Sequence, residues 1–266
     1  MKKVLFVFGL FLLSSCEDPI DVPLPAHEKR VVIDAMLWRP VGGTTGTLEV
    51  VLSQTAGFYM DVIPYIEGAT VTLKNQNAVF RAQENEKGHY KAENIPVLLD
   101  ETFELAVSIE GATYTASESL VLSTSIDSIT QGKKTLISGE ETEAVVKFTD
   151  RPEEGNYYVM DFGFNNLFVT RDEFYNGQQL TFSFFYDKYF PKNTPTPIHL
   201  MGANKAFYTY MQILISHAGQ DGGGPFATAK STLRGNIQNT TTPNDFPLGY
   251  FRVVERDTFV FTATEN

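Results

Sequence analysis

From Arg30 to about Ser123 apolar and polar residues alternate in short runs between turn-forming residues, a period of two that reads as successive half-buried strands. Gly68-Ala69-Thr70-Val71-Thr72-Leu73 alternates cleanly, and Phe103-Glu104-Leu105-Ala106-Val107-Ser108-Ile109 does so throughout. After the second run Glu110-Gly111 turns the chain into Thr113-Tyr114-Thr115-Ala116, which predicts a hairpin. Val31-Val32-Ile33-Asp34-Ala35-Met36-Leu37-Trp38, Thr47-Leu48-Glu49-Val50-Val51-Leu52-Ser53, Val79-Phe80 and Gly88-His89-Tyr90-Lys91-Ala92 supply further β-rich runs. Six or seven short strands without an amphipathic helix among them predict an antiparallel sandwich of immunoglobulin-like or transthyretin-like type over residues 29–124.

Past a polar stretch containing Gly132 the pattern resumes. Residues 143–148 and 156–164 read as strands on either side of Asp150-Arg151-Pro152-Glu153-Glu154-Gly155. Asn176-Gly177, between Phe174-Tyr175 and Leu180-Thr181-Phe182-Ser183-Phe184, predicts a second hairpin. Residues 205–218 change the period: Phe207, Tyr210, Met211, Leu214 and Ala218 fall at helical spacing, and Gly219 stands where a helix stops. Strand patterns return at 233–237, 250–254 and 258–262. The expected fold is mainly β, a sandwich followed by a β-rich domain over 125–266 with one helix near 205–218. The junction is placed near Ser123, although Ile126 and Ile129 point to a strand running through it.

The first residues follow neither period. Met1-Lys2-Lys3 is basic, residues 4–13 are apolar, Ser14-Ser15 are small, and Cys16 is the only cysteine of the chain. This pattern predicts a secretory signal peptide over 1–15 and a lipid attachment site at Cys16, which would receive a diacylglycerol thioether. Each buried methylene of an acyl chain contributes about 0.8 kcal/mol, and two chains anchor stably where one does not. Residues 16–28, with Glu17-Asp18 and then Pro19, Pro23 and Pro25, read as an extended lipidated tether.

Composition narrows the partners. There are 21 Lys+Arg against 32 Asp+Glu; losing Lys2 and Lys3 with residues 1–15 takes the net charge from −11 to −13. No nucleic-acid partner is expected of so acidic a chain, because phosphate binding needs a basic footprint. A single apolar segment, used in export, leaves the lipid as the expected membrane anchor.

Chemical motifs are sparse. His27, His89, His199 and His217 lack a second histidine or cysteine at ligand spacing, so no metal and no cofactor beyond the lipid on Cys16 is expected. Nucleophile elbows, Walker loops and dinucleotide fingerprints do not occur, and no catalytic residues are expected, although a dispersed hydrolase triad needs no motif. Asp221-Gly222-Gly223-Gly224-Pro225 follows the helix and reads as its end and a loop. Aromatic residues gather at Phe182, Phe184, Phe185, Tyr186, Tyr189 and Phe190. Core packing is the first reading of such a run; the functional one makes Tyr186, Tyr189 and Phe190 a surface for a glycan or peptide ligand or a protein partner.

Assembled in order, these segments resemble a family of Bacteroidota outer-membrane lipoproteins, domain-of-unknown-function family 4249. The resemblance rests on the lipobox and acidic tether, on Val31-Val32-Ile33-Asp34-Ala35, and on Gly68-Ala69-Thr70-Val71-Thr72-Leu73 before Gly88-His89-Tyr90. It continues through Phe148-Thr149-Asp150-Arg151-Pro152 with Asn156-Tyr157-Tyr158, then Gly235-Asn236-Ile237 and Pro247-Leu248-Gly249-Tyr250-Phe251. It implies an outer-membrane address, on the periplasmic or cell-surface face, and no reaction. It also implies a non-enzymatic accessory role beside a TonB-dependent receptor, handling or presenting a nutrient. A glycan-binding module or adhesin is the alternative, and a hydrolase comes after it.

Overall fold

The computed structural model describes residues 29–57, 62–136, 138–218 and 233–265. The expected signal peptide, Cys16 and its tether, His27, Gly219 and the glycine-rich stretch after it lie outside the described residues. The strands are β1 (Val31–Pro40), β2 (Thr45–Gln54), β3 (Thr70–Lys74), β4 (Val79–Arg81), β5 (Gln83–Glu86), β6 (His89–Pro96), β7 (Thr102–Ile109) and β8 (Ala112–Ser119). They continue as β9 (Ile126–Gln131), β10 (Thr142–Thr149), β11 (Tyr157–Asp161), β12 (Leu167–Arg171), β13 (Gln179–Tyr186) and β14 (Thr196–Ala203). Helix α1 (Lys205–His217) follows, then β15 (Gln238–Asn239) and β16 (Leu248–Phe261). Among the described residues the fold is mainly β with one α-helix, as the periodicity predicts.

The strands form an eight-stranded sheet in the order β12-β11-β14-β16-β1-β2-β6-β5, a five-stranded sheet β15-β8-β7-β3-β4 and a three-stranded sheet β13-β10-β9. Alternation along β1 and β16 assigns their faces. Ile33, Ala35 and Leu37 enter a core with Leu73, Phe103, Phe251 and Val253, so the five-stranded sheet covers one end of the large sheet. Phe261 enters a second core with Phe148, Tyr158, Phe162 and Leu200, under the three-stranded sheet. Phe251 and Phe261 lie an even number of residues apart, so both small sheets cover the same face. Tyr250 and Val254, on the other face, pack with Phe207, Tyr208 and Met211 of α1.

β16 runs parallel to β1, from Val32 opposite Leu248 to Pro40 opposite Arg256, and antiparallel to β14 on its other side. Residues some two hundred positions apart are thus neighbours, and the halves expected on either side of Ser123 share one sheet. The expected junction is a crossing between layers: Val121 exchanges backbone hydrogen bonds with Val253 and Glu255 at 2.9 and 2.8 Å before β9 begins. Two glycines permit close backbone approaches to this strand. A Cβ at Gly249, whose φ is +100°, would stand 2.0 Å from the Ile33 carbonyl oxygen, and one at Gly235 would stand 1.7 Å from that of Gly249.

Both turn expectations meet their test here. Glu110 and Gly111 take positive φ (47° and 88°) and join β7 to β8 with Ile109 opposite Ala112, the two-residue hairpin expected. Asn176-Gly177 does not close a hairpin. β12 belongs to the large sheet and β13 to the small one, and Gly177 (φ 65°) turns the chain between layers while its N–H donates to Asp150 Oδ2 at 2.9 Å. The flanking strands face each other through their side chains instead, with the Phe168 and Phe182 rings stacked at 4.8 Å.

At the seam of β1 and β16 lies a buried ion pair, Arg39 Nη2 to Glu255 Oε1 at 2.9 Å, with side-chain exposures of 7% and 3%. Glu255 also accepts from the Gly42 N–H (3.1 Å) and the Ser123 N–H (3.1 Å), and Arg39 donates to the Val97 carbonyl. Glu255→Ala strands the guanidinium without a counter-charge and is expected to cost about 3–5 kcal/mol by urea denaturation. Replacing Arg39 and Glu255 together with Met and Leu is expected to cost distinctly less; an equal loss would show that the pairing itself is not what Glu255 contributes.

Candidate functional site

Helix α1 begins where Asn204 Oδ1 accepts the Phe207 N–H at 2.8 Å, leaving its own residue extended. It buries Phe207, Tyr208, Met211 and Ile215, a face turned slightly from the expected one, and Tyr210 and Leu214 stay only partly covered. Between this flank and strands β1, β11, β14 and β16 is a cavity of about 700 Å³. Such a volume suits a small organic ligand. Met201, Met211, Leu214 and Leu248 supply apolar wall, and Phe164, 62% exposed, stands at the rim.

Three charged groups enter this apolar lining: Asp34, Asp161 and Arg252. Arg252 Nη1 pairs with Asp34 Oδ1, and its guanidinium lies 5.4 Å from the Phe207 ring centroid. Asp161 Oδ1 accepts the Gly163 N–H at 2.8 Å. Burial pushes the Tyr210 hydroxyl up to about 12, with the Asp34 charge adding to it, so this hydroxyl stays protonated and can donate to a ligand. One carboxylate more than guanidinium, set in apolar walls, favours a ligand with an apolar body and a donor-rich or cationic edge.

Beside the cavity, Asp161, His199 and Thr258 form one row across β11, β14 and β16, each the register partner of the next. His199 Nδ1 lies 2.9 Å from Thr258 Oγ1. Burial, and then the nearby Arg256 charge, lower the His199 pKa and so favour the neutral ring. A relay also needs the imidazole bonded to the carboxylate, and no hydrogen bond joins His199 to Asp161. The row is a hydroxyl–imidazole pair with a carboxylate alongside. Among the described residues no group of three or more His, Cys, Asp or Glu side chains is placed to hold a metal ion.

The expected aromatic surface separates into two environments. Tyr186 and Phe190 are buried (3% and 5% exposed), stacked on each other at 3.8 Å, and Tyr186 donates to the Phe162 carbonyl at 2.9 Å. Neither ring is available to a ligand: β13 turns its even-numbered residues, Tyr186 among them, onto the second core, and Phe190, past the end of the strand, packs into the same core. Tyr189 alone is exposed, at 80%, with Lys188 Nζ 5.3 Å from its ring centroid. Sequence reasoning missed the cavity. Its sole local signal was a carboxylate, Asp34, interrupting the apolar run of β1.

Glu118 fixes the head of the helix against this wall. Its carboxylate accepts from Asn236 Nδ2 (2.8 Å), Asn204 Nδ2 (3.3 Å) and the Tyr250 hydroxyl (3.4 Å). Asn236 also bonds both backbone groups of Phe251, so the residues of the two C-terminal motifs meet at one structural joint.

The sequence matches the family described as Domain of unknown function (DUF4249) over residues 17–259. A search of the curated proteins gave no match.

Burial raises the Glu118 pKa against the hydrogen bonds that lower it. A carboxylate whose folded pKa exceeds its unfolded value stabilises the fold fully below the unfolded pKa, and that contribution is lost as pH rises through the folded one. The stability of Glu118→Gln relative to the parent chain is therefore expected to improve between about pH 4 and pH 7. Urea midpoints at the two pH values measure it, and a difference independent of pH would refute the assignment.

Proposed function

The chain belongs to the DUF4249 family, and from that premise we propose that it is a lipid-anchored, non-enzymatic binding protein of the outer membrane. In this reading Cys16 carries the acyl chains, and the cavity under α1 handles or presents a nutrient to a TonB-dependent receptor, as in Bacteroidota lipoproteins. The observation that carries it is the cavity: about 700 Å³ of mostly apolar wall with Asp34, Asp161, Arg252 and Tyr210 at fixed points. Such a lining selects and orients a small molecule. The lipobox Leu13-Ser14-Ser15-Cys16 supports the anchor. The incomplete His199 row weighs against an acyl-transfer hydrolase. A glycan-binding module or adhesin is the second reading, and Tyr189 is the observation that favours it; one exposed ring makes a small stacking platform.

The anchor and the cavity are tested separately. Labelled palmitate is expected to enter the parent chain and not Cys16→Ala, with Cys16→Ala released from the membrane fraction. Purification from outer membranes in mild detergent is expected to bring down a TonB-dependent receptor. Native mass spectrometry of the same material is expected to find a bound small molecule that Leu214→Trp, which fills the cavity, lacks. Label in Cys16→Ala overturns the anchor, and identical bound mass in Leu214→Trp overturns the cavity.

A further inference from the structure

Six strands border the three sheets among the described residues: β12 and β5, β13 and β9, β15 and β4. An edge strand offers a row of unpaired N–H and C=O groups to any passing strand, and proteins guard such edges by shortness, charge, proline or bulges. Five of the six edges are guarded. β15 and β4 have two and three residues, and β5 has four, two of them Glu84 and Glu86. β12 has five residues ending in Arg171, and β9 carries Asp127 and pairs with β10 through a register shift.

β13 is the exception. It has eight residues, Gln179–Tyr186, with no charge and no proline, and it pairs with β10 without a register shift. Its outward backbone groups find no hydrogen-bond partner among the described residues. Leu180, Phe182 and Phe184, on its core face, are only partly buried, because the sandwich is open along this side. Phe174, in the turn that leads from β12 into β13, is 88% exposed. An unguarded edge, partly covered apolar side chains and the exposed Phe174 ring therefore occupy one rim.

We propose that β13 pairs antiparallel with β13 of a second copy, joining two three-stranded sheets into one across a two-fold axis. Opposed residues of an antiparallel pair project to the same face, so an axis through Ser183 sets Phe182 opposite Phe184 and Leu180 opposite Tyr186 of the second copy. The core face stays apolar along the whole contact. On the outer face Thr181 meets Phe185, and no like charges oppose each other because the strand has none. A two-fold contact needs only one surface that complements itself, which this sequence provides. The pairing rests on neither the lipid nor the cavity. Each copy beyond residue 15 carries a net charge of −13, so repulsion between copies is screened by salt and the dimer tightens as salt rises. A strand supplied by a basic partner would behave in the opposite way.

The test uses the full chain in its membrane and in mild detergent. At the axis, Ser183→Cys brings two cysteines to a Cα separation of roughly 4.5–5.5 Å, within disulfide reach. Mild oxidation is expected to give a reducible homodimer of Ser183→Cys and none of the parent chain, whose only cysteine is Cys16. Ser183 donates to Glu143, so a second variant guards against misfolding of the first. Thr181→Glu, at an exposed position opposite Lys147 of β10, is expected to raise the dimer dissociation constant at least tenfold in sedimentation while leaving unchanged the urea midpoint measured at concentrations below that constant. A parent chain that sediments as one copy at every salt concentration, or a Ser183→Cys cross-link to a different protein, overturns the proposal.

Discussion

Everything in this molecule is organised by the parallel pairing of the first described strand with the last. β16 lies between β1 and β14, and through it two local strand systems become one eight-stranded sheet. Parallel neighbours from opposite ends of a chain cost more loop-closure entropy than a hairpin, so the contact needs specific side chains to hold it. Gly249 and Gly235 let the backbones approach, Asn236 bonds the backbone of Phe251, and the buried Arg39–Glu255 pair locks the far end. Glu255 also takes the Ser123 N–H, so one carboxylate ties the strand pair to the crossing between layers.

The shared sheet explains why one face is closed and the other available. Two small sheets cover the first face with separate cores, around Phe103 and around Phe148. The second face is covered in part by α1, a single helix of thirteen residues that cannot span eight strands. Where its flank lifts from the sheet a cavity remains, and the same face continues past it as a partly exposed patch. There Arg256 lies 3.5 Å from the Trp38 ring centroid, and Trp38 Nε1 donates to Glu49 at 3.1 Å. The charges of the cavity belong to this larger polar stripe, in which Asp34, Glu49 and Asp161 stand among Arg252 and Arg256.

The aromatic residues of β13 illustrate how a strand's position decides the role of its side chains. Tyr186, at the end of β13, closes the second core, while Phe182 and Phe184 lie at an open rim because the strand has a neighbour on one side only. The same composition in a central strand would carry no consequence beyond packing.

Much of the local architecture was legible in the chain. The alternating runs located β3, β7 and β8, Glu110-Gly111 located their hairpin, and the changed period at residues 205–218 located α1. Those features depend on neighbours close in sequence, whose side-chain period and turn chemistry carry the information. Asn176-Gly177 shows the limit. Its residues specify a tight reversal with positive φ, but whether the next strand pairs or changes layer depends on β10, far from it in sequence. The sequence by itself determined that this is an acidic, mainly β chain with one change to helical period and one cysteine. The tertiary structure alone decided that its halves share a sheet, that Asp34, Asp161 and Arg252 meet in a cavity, and that β13 is left at an edge. Those outcomes follow from long-range strand pairing, and no local pattern encodes which distant strand a given strand will join.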